Sequence, residues 1–403
     1  MMQKSMRGET EISFWIQYEK KKMQECAGTL HNLASAFLIE EKEDIKEEKD
    51  RQNLLLKRRL RENRVLMADH LKEIAYVMQK AADEKIKILR LGEKKEKQMA
   101  KMLFLEGLIM EDFYLIEKEN GKKEAVIRIY QNNLQGKSKF YSTEEVASFL
   151  SVILNMRLVP AIRTPFFILD KPNNFCFEED AKYMVLTGYA KSVKEGEKVS
   201  GDNYAFFESD EKKFYSVLSD GMGSGEKARE GSETVVDMAE RFLEGEFSVS
   251  LTAKMINDIL LTGSEGKNMS TLDVCGVDLY TGEAEFLKVG AAYGLLKRDG
   301  YVEKISSVSL PLGVFYELEM NQYRKQLLDG DYVFLLSDGI LDNFQGEEGE
   351  EFLKEIVAQI PYRRPSEMAG HIMKHAISAS GGRIRDDMTV LVMGIWENGS
   401  KIY

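Results

Sequence analysis

Two apolar runs of this chain stop at an aspartate followed by glycine. One reads Phe214-Tyr215-Ser216-Val217-Leu218-Ser219-Asp220-Gly221, the other Asp331-Tyr332-Val333-Phe334-Leu335-Leu336-Ser337-Asp338-Gly339. Two further carboxylates open runs instead of closing them: Asp202 in Gly201-Asp202-Asn203, and Asp386 in Asp386-Asp387-Met388-Thr389-Val390. Runs rich in Val, Leu, Phe and Tyr that end at a turn read as buried strands. An Asp-Gly pair by itself is an ordinary turn dipeptide. Four carboxylates at the ends of four strands are more than that, because rigid elements then carry several hard oxygen ligands toward one place. Such a set suits two Mg²⁺ or Mn²⁺ ions. A glycine after the ligand lets its carbonyl and neighbouring waters reach the ion with no Cβ in the way.

The glycines after Asp220 invite rival readings. In Gly221-Met222-Gly223-Ser224-Gly225, the third glycine of a dinucleotide loop is replaced by Glu226. The ATP-lid pattern D-x-G-x-G fails at Met222. No G-x-x-x-x-G-K-[ST] phosphate loop and no G-x-S-x-G nucleophile elbow occurs. An ATP-binding kinase is therefore a poor runner-up.

The elements that must position the acids are strands at 182–190, 203–208, 213–219, 271–279, 284–289, 293–297, 331–336 and 388–395. Helices are expected at 226–243, 251–262, 350–359 and 365–378. Short turns such as Tyr280-Thr281-Gly282-Glu283 predict hairpins and an α+β layered domain over 181–396. Residues 111–180 read as a small α/β module, with a strand at Glu124–Tyr130, a helix from Thr143 and a loop punctuated by Pro160, Pro165 and Pro172. Residues 1–110 lack proline and are dense in Glu and Lys, which predicts helix. Leu60, Met67, Ile74, Ala81 and Ile88 recur every seven residues. That helix either packs within the chain or pairs with a second copy to form a homodimer.

Composition narrows the function. A net charge of -11 disfavours a nucleic-acid binder. Cys26, Cys176 and Cys275 form no CxxC pair, so a disulfide framework or zinc ribbon is not expected, and a reducing compartment fits. His371 and His375 share a helical face, but no Glu stands at 372 to complete a zincin box. No apolar run reaches the roughly 18 residues of a membrane span, and no signal peptide opens the chain. The expected location is cytoplasmic.

Ser200-Gly201-Asp202, Ser219-Asp220-Gly221-Met222-Gly223, Ser270-Thr271-Leu272-Asp273, Leu310-Pro311-Leu312-Gly313, Ser337-Asp338-Gly339 and Asp386-Asp387-Met388-Thr389 occur in this order. From about 180 to 396 that series resembles the PPM-type metal-dependent serine/threonine phosphatases. Residues 1–180 resemble the linker and regulatory segment of the sporulation members of that family. The resemblance implies an αββα sandwich with a two-metal site at one edge. Asp220 would bridge both ions, Asp202 and the Gly221 carbonyl would serve one, and Asp338 and Asp386 the other. The family pattern favours Asp386 over Asp387, a choice that the residues themselves leave open. The implied substrate is a phosphorylated anti-anti-sigma factor of the STAS type, whose dephosphorylation activates a sporulation sigma factor. A second reading makes the phosphatase a gated catalyst that serves mainly as a dimeric scaffold.

Some residues have plainer readings. Asp273 fits a polar core position as well as a ligand. Pro311 and Gly313 fit a turn, and Lys227 and Arg229 fit a solvated helix face as well as a phosphate contact. The phosphate-binding arginine of eukaryotic members has no identifiable counterpart. The sporulation members also carry a membrane-spanning bundle that this sequence lacks, so the chain is expected to be either a fragment or a short form.

Overall fold

The chain divides into two compact units, Met1–Asp180 and Ala181–Tyr403. The structure, a computed structural model, describes residues 2–38, 51–119, 121–131, 140–162, 164–262, 269–315, 318, 320–361 and 363–399. The part of the expected N-terminal helix at 39–50 lies outside the described residues.

The first unit opens with α1 (Met2–Leu38) and α2 (Arg51–Asp83). Their buried seam is made of alanines, Ala27 and Ala34 on α1 and Ala68, Ala75 and Ala82 on α2. Small side chains let two helices approach closely. Gln24 Nε2 of α1 donates to Asp83 Oδ1 at the end of α2 at 3.0 Å. The expected heptad is therefore corrected by one residue. Leu60 and Met67 are 53% and 54% exposed, and Ile88 lies beyond the helix in β1 (Lys87–Leu89).

A five-stranded antiparallel sheet follows, in the order β1-β2-β3-β5-β4. It comprises β2 (Leu108–Glu117), β3 (Lys123–Gln131), β4 (Leu158–Pro160) and β5 (Asn173–Glu179), with α3 (Glu93–Leu105) before β2 and α4 (Thr143–Leu154) before β4. Met99 and Leu103 of α3 and Val146 and Leu150 of α4 share one core with Phe113, Ile127, Phe175 and Phe177. Ser142 and Glu145 form a capping box that starts α4, and Asn155 ends it in the left-handed conformation. The sheet begins at Lys87, not near 111, so the stretch to 110 is not all helix. A bulge between Met110 and Asp112 breaks the alternation of β2, which hides it from a period-two reading.

The second unit contains β6 (Tyr183–Ser192), β7 (Asp202–Glu208), β8 (Lys213–Asp220), α5 (Glu226–Glu244), α6 (Val249–Thr262), β9 (Leu272–Asp278) and β10 (Glu283–Val289). It continues with β11 (Gly294–Arg298), β12 (Tyr301–Ile305), β13 (Asn321–Gln326), β14 (Tyr332–Leu336), α7 (Asp338–Leu341), α8 (Gly346–Ala358), α9 (Pro365–Ala379) and β15 (Met388–Glu397). Two antiparallel sheets form, β13-β10-β9-β8-β7 and β12-β11-β14-β15-β6. Leu218, Val277 and Phe286 meet Val333, Leu335, Leu391 and Met393 between them. Helices α5 and α6 cover the first sheet through Val235, Ala239 and Ile256. Helices α8 and α9 cover the second through Leu353, Val357 and Ile372. This is the expected αββα sandwich. β12 and β13 are strands not expected from the sequence. Both are sheet edges with a solvated side, so their residues carry little apolar signal.

Candidate metal centre

The β7–β8 hairpin sets two of the four acids face to face. Its register pairs Asp202 with Asp220 and Tyr204 with Leu218. Directly opposed residues of an antiparallel pair share a face. Leu218 packs between the sheets, so Asp220, two residues on, shares its inward side. The second sheet supplies the others. β14 ends beside β15, where Ser337 N donates to Thr389 O at 3.0 Å and Thr389 N donates to Ser337 Oγ at 2.8 Å. Asp338 starts α7 one residue after this junction, and Asp386 precedes β15.

The four carboxylates sense one another. Asp202 is fully buried, and neither of its oxygens closes a hydrogen bond of normal geometry. Burial pushes its carboxyl up to about 7; the nearby Thr389 and Ser337 hydroxyls pull against that rise, while Asp387 and Asp338 add to it. Asp220 is pushed up to about 9, first by burial, then by Asp202, Asp338 and Asp386, and by a hydrogen bond with Asp338. Asp338 is raised by burial and by Asp386 and Asp342, against the Gly339 N–H and Asp220. Lys194 Nζ stands 3.5 Å from Asp386 Oδ1. Among the described residues, no three His, Cys, Asp or Glu side chains close around a common point. The fit to a metal therefore rests on donor chemistry: one fully buried carboxylate, Asp202, with both oxygens orphaned, beside the half-buried Asp220 and Asp386 and the exposed Asp338, an acidic cluster that a cation would neutralise. An all-oxygen set selects Mg²⁺ or Mn²⁺ over zinc.

Residues 210–396 match the family described as Stage II sporulation protein E (SpoIIE). Stage II sporulation protein E of Bacillus subtilis (strain 168) is 30% identical over 353 residues, which cover 87% of this chain and 42% of that protein. The solved phosphatase domain of Bacillus subtilis SpoIIE, in a crystal form without domain swapping, is 33% identical and covers 55% of this chain and 97% of that one, with a TM-score of 0.46. The second unit thus resembles SpoIIE over residues 210–396. A structure of the PP2C phosphatase domain and a fragment of the regulatory domain of Bacillus subtilis SpoIIE matches 88% of this chain and 99% of that one. Its TM-score is 0.63 at 27% identity. The second unit is accordingly a PP2C-type phosphatase domain, the PPM resemblance noted above. The chain spans less than half the length of its Bacillus subtilis relative. No helix among the described residues is long and apolar enough to cross a membrane.

The surroundings of the acids give the candidate site its shape. Asp387 is a clamp: Oδ1 accepts from Lys194 N at 2.9 Å and Oδ2 from Gly201 N at 2.7 Å. The glycines after Asp220 and Asp338 have a packing reason. A Cβ on Gly221 would lie 1.9 Å from Ala228 O of α5, and one on Gly339 would lie 2.1 Å from Asp387 O. Asp273 is bound to the fully buried Lys288, which also donates to Ala292 O at 2.9 Å. Leu312 N donates to Ser270 O and Gly313 N to Asn257 Oδ1, both at 2.9 Å, so the Pro311–Gly313 segment is tied to the stretch just before β9 and to α6. Arg229 pairs with Glu226 and Glu233 on α5. His371 and His375 meet edge-on on α9 with ring centroids 4.6 Å apart. Sequence reasoning missed Lys288. A lone lysine in the apolar run Ala284–Val289 was its one signal.

Proposed function

We propose that the second unit hydrolyses phosphoserine on a protein substrate with two bound divalent ions. The observation that carries this reading is the in-register pair Asp202–Asp220, in which Asp202 is fully buried and neither of its carboxylate oxygens closes a hydrogen bond. Asp220 would be shared by both ions, Asp202 and the Gly221 carbonyl would hold one, and Asp338 and Asp386 the other. When bound, the ions supply a water acidic enough to ionise near neutral pH and positive charge for the phosphoryl oxygens. Asp386 fits the ligand role better than Asp387, because both oxygens of Asp387 are taken by backbone amides, whereas the Asp386 side chain is 46% exposed. Asp220 keeps its proton at neutral pH unless a cation displaces it, so loading releases protons. No protein nucleophile is required.

The family resemblance points to a STAS-type anti-anti-sigma phosphoprotein as substrate, with release of a sporulation sigma factor as the outcome. The test is Mn²⁺-dependent release of phosphate from such a protein. Asp220→Asn and Asp338→Asn should each abolish it, and undiminished turnover by both variants removes the assignment.

A second reading has its own observation. Leu60 and Met67, seven residues apart on one face of α2 beside its alanine seam, are exposed. We propose that this face pairs with a second copy and that α1–α2 acts as a linker switching the phosphatase. Deleting residues 1–83 should convert a dimer to a monomer and change activity. Unchanged mass and unchanged turnover would reduce the helices to a spacer.

A further inference from the structure

The last rung between β8 and β9 is not a regular antiparallel rung. The register that pairs Leu218 with Asp273 carries on to Asp220 opposite Thr271, and then to the bridge between Gly221 and Ser270. Thr271 N donates to Asp220 O at 2.8 Å, as a ladder requires. The return bond is replaced. Asp220 N donates to Thr271 Oγ1 at 2.8 Å, and Thr271 O accepts from Ser219 Oγ at 2.7 Å. Two hydroxyls thus stand where one backbone bond would be, at the residue whose carboxylate lies at the centre of the acid cluster. Ser219 is fully buried, and Ser270, the next residue toward the loop, is tied to Leu312.

We propose that Thr271, with Ser219, is a positioning residue for the metal centre. By accepting from Asp220 N through its side chain, Thr271 holds the Ser219–Asp220 peptide away from the backbone bond of a regular rung, while the Asp220–Gly221 peptide keeps its bond to Thr271 N. That orientation sets the direction in which the Asp220 carboxylate leaves the backbone. A β-branched residue suits the task, because its restricted χ1 keeps the acceptor in place. Outer contacts that orient metal ligands govern affinity in this way. The inference rests on the metal reading given above.

The experiment measures Mn²⁺ binding to the full chain by titration calorimetry and by Mn²⁺ electron paramagnetic resonance, alongside thermal unfolding and phosphatase kinetics. Thr271→Val keeps the shape and removes the acceptor. It should weaken Mn²⁺ binding by about 10–100-fold, as loss of such an outer contact does, and should need correspondingly more Mn²⁺ for half-maximal turnover. Thr271→Ser restores the oxygen and should rescue binding, which a purely structural role for the methyl group would not allow. Wild-type Mn²⁺ affinity in Thr271→Val overturns the proposal. Weak binding in Thr271→Ser, equal to that of Thr271→Val, overturns it too. If Thr271→Val does not fold, Ser219→Ala should still weaken Mn²⁺ binding, and unchanged affinity there overturns the proposal. A folded wild-type chain that binds no Mn²⁺ brings down the metal reading itself, which separates the two failures.

Discussion

Asp202 and Asp273 lie in the same sheet, each with almost no solvent exposure, yet their circumstances are opposite. Asp273 meets a fully buried ammonium, Lys288, supplied by the adjacent strand. The Asp202 carboxylate faces hydroxyls and further acids; the nearby Lys191 ammonium donates to the Asp202 backbone carbonyl at 2.5 Å, and neither carboxylate oxygen closes a hydrogen bond. Burial raises both carboxyls above the ordinary range, but at Asp273 the lysine pulls back. The difference teaches that burial of a charge is not a functional signal. A buried acid with a lysine carries its own counter-charge; a buried acid among acids must take up a proton or a cation.

The strongest way to break the comparison is to neutralise one acid of each kind. Asp202→Asn should lower Mn²⁺-dependent turnover by about 100-fold or more, the scale of losing a group that holds the catalytic charge, while metal-free stability is kept or increased. A variant with full turnover would remove Asp202 from the site. On the Asp273 side, Lys288→Met should destabilise the fold by about 3–5 kcal/mol, because it strands a buried carboxylate. Adding Asp273→Leu should recover much of that loss, and a double variant no better than the single in urea unfolding would refute the buried pair.

A smaller effect should come from pH. The folded pKa values of Asp202 and Asp220, about 7 and about 9, lie above the unfolded value near 3.8. The folded state therefore binds more protons than the unfolded one between about pH 4 and 9, and stability of the metal-free chain falls as pH rises through that window. After chelator treatment, melting temperature should drop from pH 5 to pH 8, and Mn²⁺ should restore more of it at pH 8. An Mn²⁺ shift independent of pH would contradict the assignment. The smallest expected change is Asp387→Asn, which keeps one acceptor for the amides of Lys194 and Gly201. It should cost about 1–3 kcal/mol and reduce turnover less than Asp386→Asn, with the reverse order in kinetics exchanging the two roles.

Much of the second unit was legible because its chemistry and its strand signals coincide. Val217, Leu218, Phe334 and Val390 mark central strands, and the acids at their ends stand out by contrast. The same logic failed where the signal was small or polar. The helical seam is carried by Ala68, Ala75 and Ala82, whose methyl groups do not register in a search for large apolar heptads. The polar strand Asn321–Gln326 looks like loop because it is an edge. Gly221 and Gly339 looked like openings for a ligand, and the packing reason appears only when Ala228 and Asp387 are seen against them.

The sequence by itself determined the fold class, the family motifs and which four aspartates are available, because strand periodicity and residue chemistry are local properties. Tertiary structure decided which acids are alone. Asp273 and Lys288 are fifteen positions apart, and Lys194 and Asp387 almost two hundred. Whether a buried charge finds its partner is a property of strand register and sheet packing, which bring distant residues within hydrogen-bond reach. Spacing along the chain cannot show that Asp273 has a buried lysine and that both Asp387 oxygens are bonded while neither carboxylate oxygen of Asp202 is.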